Sequence, residues 1–100
     1  MIHTKHELLT LIKTNSETIK SFGVEKLGLF GSFRHDKAQD TSDVDFLVDF
    51  EIDKKTYKNL FNLYEFLEDL TGRKVEVLTR AGLSKYIGLH ILKDLENVAL

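Results

Sequence analysis

Gly28-Leu29-Phe30-Gly31-Ser32-Phe33 and, after a polar stretch, Ser42-Asp43-Val44-Asp45-Phe46-Leu47-Val48 carry most of what this sequence says about its fold. Lys26 through Phe30 reads as a short apolar strand that stops at Gly31-Ser32. The polar residues 34–42 read as a loop or short helix. Val44 through Phe50 reads as a second strand, apolar except at the alternate positions of Asp45 and Asp49, which suggests a mostly buried sheet element.

Working outward, Thr4-Lys5-His6-Glu7 is a capping-box pattern ahead of Leu8, Leu9, Leu11 and Ile12 at helical spacing. Asn15-Ser16 interrupts and restarts that helix, which runs through Ile19 to Phe22 and stops at Gly23. On the other side, Asp53 is expected to cap a long helix in which Tyr57, Leu60, Phe61, Tyr64, Leu67 and Leu70 recur at spacings of three and four, with Gly72 ending it. Lys54, Lys55 and Lys58 then fall in its first turns and Glu65, Glu68 and Asp69 in its last. Both placements oppose the helix dipole by roughly 0.3–1 kcal/mol each. Either apolar burial outweighs these small terms, or the lysines face an anionic ligand or partner.

Lys74 through Leu78 is a third strand, with Glu76 on the opposite face from Val75 and Val77. Leu83 through Leu95 is a last amphipathic helix. The expected order is α–β–loop–β–α–β–α, a two-layer α/β (α+β) domain occupying residues 1–100.

Composition sets outer limits. The 42% hydrophobic and 30% charged residues suit a soluble folded chain. The absence of cysteine removes disulfides, thiolate metal sites and a cysteine nucleophile, so any metal must be held by oxygen or imidazole. The histidines at 3, 6, 35 and 90 show no ligand spacing apart from His3 and His6 near the terminus. No apolar run approaches the roughly 20 residues a membrane span needs, and the N-terminus lacks a signal-peptide pattern, so a cytoplasmic location is expected. A net charge of -2 without a Lys/Arg cluster argues against direct nucleic-acid binding.

Asp43 and Asp45 stand two residues apart, so on a strand both project from one face with Cα atoms roughly 6.5–7 Å apart. Like charges about 4 Å apart repel by roughly 4 kcal/mol at an effective dielectric of 20. A divalent cation removes that cost, and two hard carboxylates suit Mg2+, which completes its shell with water and substrate phosphates. Gly31 lets the backbone approach a ligand closely, the N–H groups that follow can cradle phosphate oxygens, and Ser32 adds a hydroxyl donor. Glu76, from the next strand, offers a further carboxylate to ligate metal or accept a proton. A phosphate cradle beside paired carboxylates is what metal-assisted phosphoryl or nucleotidyl transfer requires. Asp49 shares the parity of Asp45 but lies further along, and is expected to be solvated.

At these residues the chain resembles the minimal nucleotidyltransferases of the DNA polymerase β-like superfamily. The likeness rests on Phe30-Gly31-Ser32-Phe33 … Ser42-Asp43-Val44-Asp45-Phe46-Leu47-Val48. It continues in Lys74-Val75-Glu76-Val77-Leu78-Thr79 and in Leu83-Ser84-Lys85-Tyr86 … His90-Ile91-Leu92. The resemblance implies a small mixed sheet flanked by helices and adenylyl transfer from Mg2+-ATP to a hydroxyl. By position, Asp43, Asp45 and Glu76 are then the catalytic metal ligands, and Gly31, Ser32, Arg34 and Ser42 the nucleotide-binding residues. Members of this size are similar to the antitoxin halves of toxin–antitoxin modules, whose partner is a helical HEPN ribonuclease silenced by adenylylation of a tyrosine.

Two positions depart from the family pattern. Where arginine followed by glycine or aspartate is common, this chain has His35 and Asp36, with Arg34 one place earlier. Glu76 stands where aspartate is common, and an extra methylene moves the charge by about a bond length. A misplacement of that size can cost on the order of 100-fold in rate. An alternative is therefore a weak or inactive antitoxin that neutralises its partner by contact alone, with Tyr86, Ile87, His90 and Ile91 serving either as core or as interface. Transfer to a small molecule is disfavoured because 100 residues leave no room for an acceptor-holding domain.

Overall fold

The capping pattern at the N-terminus forms as expected: Thr4 Oγ1 accepts the Glu7 N–H at 3.1 Å and its hydroxyl meets Glu7 Oε1 at 3.2 Å. The computed structural model describes residues 1–100 with the exception of the side chains of Tyr86 and Ile87. Helix α1 (Lys5–Thr14) breaks at Asn15, α2 (Ser16–Ser21) follows, and Gly23 turns the chain at φ +82° into β1 (Val24–Phe30). Then come the short α3 (Gly31–Arg34), β2 (Val44–Phe50), α4 (Tyr57–Thr71), β3 (Val75–Thr79), a 3-10 turn at Arg80–Gly82, α5 (Lys85–Asp94) and β4 (Glu96–Val98).

The four strands form one mixed sheet in the order β3-β2-β1-β4. β1 runs antiparallel to both β2 and β4, while β2 and β3 are parallel. Parallel pairing of consecutive strands needs a long crossover, and α4 provides it. Val44, Phe46 and Val48 of β2, Leu27 and Leu29 of β1, Leu63 and Leu67 of α4, and Leu8 and Ile12 of α1 are essentially inaccessible to solvent and make the core on one face of the sheet. By strand alternation the other face receives Asp45, Leu47 and Asp49 from β2 and Glu76 from β3.

Several expectations need correction. The strand expected from Lys26 starts at Val24, and helical turns begin at Gly31 rather than beyond residue 34. Asp53 does not cap the long helix; it occupies a turn at φ +66°, and Thr56 is the cap, accepting the Asn59 N–H at 3.1 Å. Lys54 and Lys55 therefore precede the helix, and only Lys58 lies in its first turn. The buried stripe of α4 holds only part of the expected set: Leu67 is buried and Leu60 packs against the core, with Leu63 joining them unanticipated. Leu63 and Leu67 point inward, whereas Tyr57 and Phe61 remain 91% and 54% exposed. Two stripes at three-four spacing coexist on this helix, and periodicity alone does not say which one meets the sheet.

The last helix runs Lys85–Asp94 rather than 83–95, and β4 was not anticipated at all. Its three residues, Glu-Asn-Val, carry no strand-like alternation, and they pair because β1 presents an open edge. On α5, His90 is exposed and Ile91 half-buried, while the side chains of Tyr86 and Ile87 lie outside the described residues.

Candidate active site

Sheet register brings the two informative stretches together. Phe30, the last residue of β1, pairs with Asp45 of β2, and Asp45 pairs in turn with Glu76 of β3. Gly31 therefore leaves the sheet directly beside Asp45. It does so at φ +76°, a conformation L side chains rarely adopt, and a Cβ there would strike Asp45 Oδ2. Glycine at 31 is thus required twice, by its backbone angle and by the carboxylate packed against its α-carbon.

Asp45 is half-buried, and its carboxyl is pushed up to about 7. Burial contributes most, followed by a hydrogen bond with Glu76, then the negative charges of Glu76 and Asp43. Asp45 and Glu76 therefore face each other within hydrogen-bonding reach. Asp43 sits just before β2 with its side chain exposed, within electrostatic reach of Asp45. Among the described residues no ion pair involves Asp43, Asp45 or Glu76, and no three acidic or histidine side chains are grouped closely enough to hold a metal ion. The structure thus brings Asp45 and Glu76 into contact and leaves Asp43 at the rim.

Ser32 lies in the first turn of α3, and among the described residues its hydroxyl has no protein hydrogen-bond partner. The other residues expected to bind nucleotide are engaged elsewhere. The Gly31 N–H donates to Asp94 Oδ2 at 3.2 Å. Arg34 Nε donates to the Asp94 carbonyl at 3.1 Å, and its Nη1 pairs with Glu96 at 3.4 Å. Ser42 Oγ accepts the Gln39 N–H at 2.9 Å, closing the turn that leads to Asp43. His35 meets Asp94 Oδ1 at 2.5 Å. Asp36 lies at φ +54°, which explains why glycine or aspartate suits that position.

Asp49 is not simply solvated, as the sequence suggested: Arg80 Nε donates to both of its oxygens, at 2.9 and 3.2 Å. Two further residues escaped the sequence reading. Arg73 is buried, donates from Nε to the Ile2 carbonyl at 2.8 Å, and gives Nη1 to the carbonyls of Gln39, Asp40 and Ser42 at 2.9, 3.3 and 2.9 Å. Its guanidinium also lies 4.9 Å from the Phe33 ring centre. It pins the loop that delivers Asp43. Asp94, the second, holds both ends of α3. Neither has a local signal in the sequence, because their partners lie far away in the chain. Nearer the sheet edge, the Tyr64 hydroxyl is pushed up by its hydrogen bond to Glu68, by burial, and by the charges of Glu68 and Asp43.

Known proteins share this sequence pattern and fold. A model of the nucleotidyltransferase domain matches residues 10–98. A protein adenylyltransferase, MntA, from Thermococcus cleftensis is 32% identical over 96 residues, covering 95% of this chain and 96% of that protein. A solved structure described as a minimal nucleotidyltransferase superposes with a TM-score of 0.71 at 27% identity, covering 88% of this chain and 93% of that one. The fold also matches a toxin–antitoxin structure with AMP-PNP, at a TM-score of 0.65 and 16% identity over 95% of this chain and 72% of that one. A mixed sheet that seats an Asp-x-Asp strand behind a Gly-Ser turn, with these relatives across nearly its full length, makes the chain a member of the nucleotidyltransferase domain family.

Proposed function

We propose that this chain transfers the adenylyl group of Mg2+-ATP to a tyrosine hydroxyl on a helical HEPN ribonuclease, and so acts as that toxin's antitoxin in the cytoplasm. The observation that carries the reading is the contact between Asp45 and Glu76, with Asp43 at the rim and no cation paired to any of the three among the described residues. The likeness to a protein adenylyltransferase and to a toxin–antitoxin structure supports the acceptor and partner classes.

The donor chemistry fits Mg2+, which takes one or two carboxylates with water and phosphates: Asp45 and Glu76 supply hard oxygens beside each other, and Asp43 stands at the rim. Asp43, Asp45 and Glu76 would hold the ion, which when bound neutralises charge on the phosphates and activates the α-phosphorus toward attack. The Ser32 hydroxyl binds phosphate oxygens beside it, at the turn that the Gly31 N–H helps to hold. The tyrosine oxygen forms a bond to the α-phosphorus, the bond from that phosphorus to the β-phosphate bridging oxygen breaks, and pyrophosphate departs. The hydroxyl proton passes to a carboxylate of this corner, for which Glu76 is the more exposed candidate.

Intact mass spectrometry of the chain co-expressed with its helical neighbour tests the proposal. It expects added AMP on the partner, lost in Asp43→Asn and Asp45→Asn; equal AMP addition by both variants would refute the site. A second reading, neutralisation by contact alone, draws on one observation: Arg34 is turned to Asp94 and Glu96 and is not free for phosphate. Under that reading Asp45→Asn leaves neutralisation intact.

A further inference from the structure

We propose that Asp94 is a positioning residue for the donor nucleotide, holding the Gly31–Ser32 turn in the geometry that receives its phosphates. The proposal rests on the nucleotidyl-transfer reading above and concerns a residue far from the motif in sequence. Asp94 is the last residue of α5, and it grips α3 at both ends. One carboxylate oxygen accepts the Gly31 N–H at 3.2 Å where the helix starts. The other meets the His35 ring, and the Asp94 carbonyl takes Arg34 Nε at 3.1 Å, where the helix stops. Between those two ends lies Ser32, and against the first of them lies the Asp45 carboxylate.

A four-residue helix has almost no stability of its own, so its orientation is set by whatever holds its termini. Asp94 is in turn fixed by its neighbours. Leu95 packs on Gly28 so tightly that a Cβ there would collide with it, and Glu96 pairs with Leu29 in the sheet. Glu96 also meets Arg34 at 3.4 Å and Lys5 at 2.8 Å. Burial alone would raise the Asp94 carboxyl, but its hydrogen bonds from His35 and the Gly31 N–H, with the charges of His35 and Arg34, hold it below the usual range. The charged form therefore persists at neutral pH and keeps both oxygens as acceptors. This also gives the Gly31 N–H a use: it is spent on aligning the turn, leaving Ser32 to meet the phosphates.

The test compares the parent chain with Asp94→Ala, Asp94→Asn and His35→Leu, measuring ATP affinity by calorimetry with Mg2+ present and following the Gly31 amide by NMR. Asp94→Ala is expected to weaken ATP binding at least tenfold and to shift and deprotect the Gly31 amide while the core amides keep their positions. Asp94→Asn retains an acceptor and is expected to recover most of that loss. His35→Leu cuts one arm at an exposed position and is expected to cost about threefold, which keeps the test decisive should the alanine variant not fold. A merely structural role would lower the folded fraction without changing the affinity of the folded molecules. A parent that binds ATP while the variants bind equally well overturns this inference and leaves the proposed function standing. A parent that binds no ATP overturns both.

Discussion

Asp45 and Asp49 are the same residue type on the same strand and the same face, four positions apart, yet they live in opposite electrostatic surroundings. Asp49 is met by the Arg80 guanidinium at both oxygens. Asp45 is met by another carboxyl group, feels a third acidic side chain, and is pushed up to about 7. Folding pairs one aspartate with a guanidinium and sets the other against a second carboxyl group. The contrast sets Asp45, rather than Asp49, as the aspartate of β2 that the proposed reaction uses.

The largest expected difference between the two is in activity. Asp45→Asn should reduce AMP transfer by about 1,000-fold or more, the scale of losing charge stabilisation at a phosphoryl centre, whereas Asp49→Asn should stay within about threefold of the parent. Rates of labelled AMP incorporation into the partner measure both, and equal losses would erase the contrast.

Metal comes next. Thermal melts at pH 8 should show Mg2+ stabilising the parent, by about 2.7 kcal/mol when the ion is present at 100 times its dissociation constant. Asp49→Asn should respond likewise, and Asp45→Asn or Glu76→Gln should respond little.

Without metal, the pH dependence of stability should also separate the pair. The Asp45 carboxyl holds its proton in the folded chain up to about 7 but loses it near 3.8 when unfolded. Between those values the folded state binds more protons, so stability falls as pH rises from about 4 to about 7. Asp45→Asn removes that slope and should make the metal-free chain more stable than the parent at pH 8, by about 1–2 kcal/mol after allowing for solvent screening. Urea titrations across this range check the sign. The smallest effect belongs to Arg80→Ala: its partly exposed pair with Asp49 should contribute no more than about 1 kcal/mol, less at high salt.

Legibility followed the range of the interactions. The cap at Thr4, the stop at Gly72 and the span of β2 are settled by neighbours a few residues away, and the sequence showed them. So was the likeness of Gly31, Ser32, Asp43 and Asp45 to a nucleotidyltransferase core, since the relevant residues sit in two short runs. What stayed hidden depends on partners distant in the chain. The cap shifted from Asp53 to Thr56, because Asp53 adopted a left-handed turn. Tyr57 and Phe61 faced outward, because the sheet meets the neighbouring stripe of α4. β4 formed because β1 had an unpaired edge. Arg34 was expected to face phosphate, but Asp94 and Glu96 reached it across the fold. Arg73, which secures residues 39–42 and hence Asp43, touches the N-terminus, the loop and Phe33 at once, and no window of sequence contains that set.

Carboxyl 13C NMR of the selectively labelled chain puts the central contrast to its most direct trial. The Asp45 resonance is expected to titrate near 7 in metal-free buffer and to drop into the ordinary carboxylate range once Mg2+ is added. An Asp45 that titrates near 4 with or without the ion would contradict the assignment of this corner to metal and nucleotide.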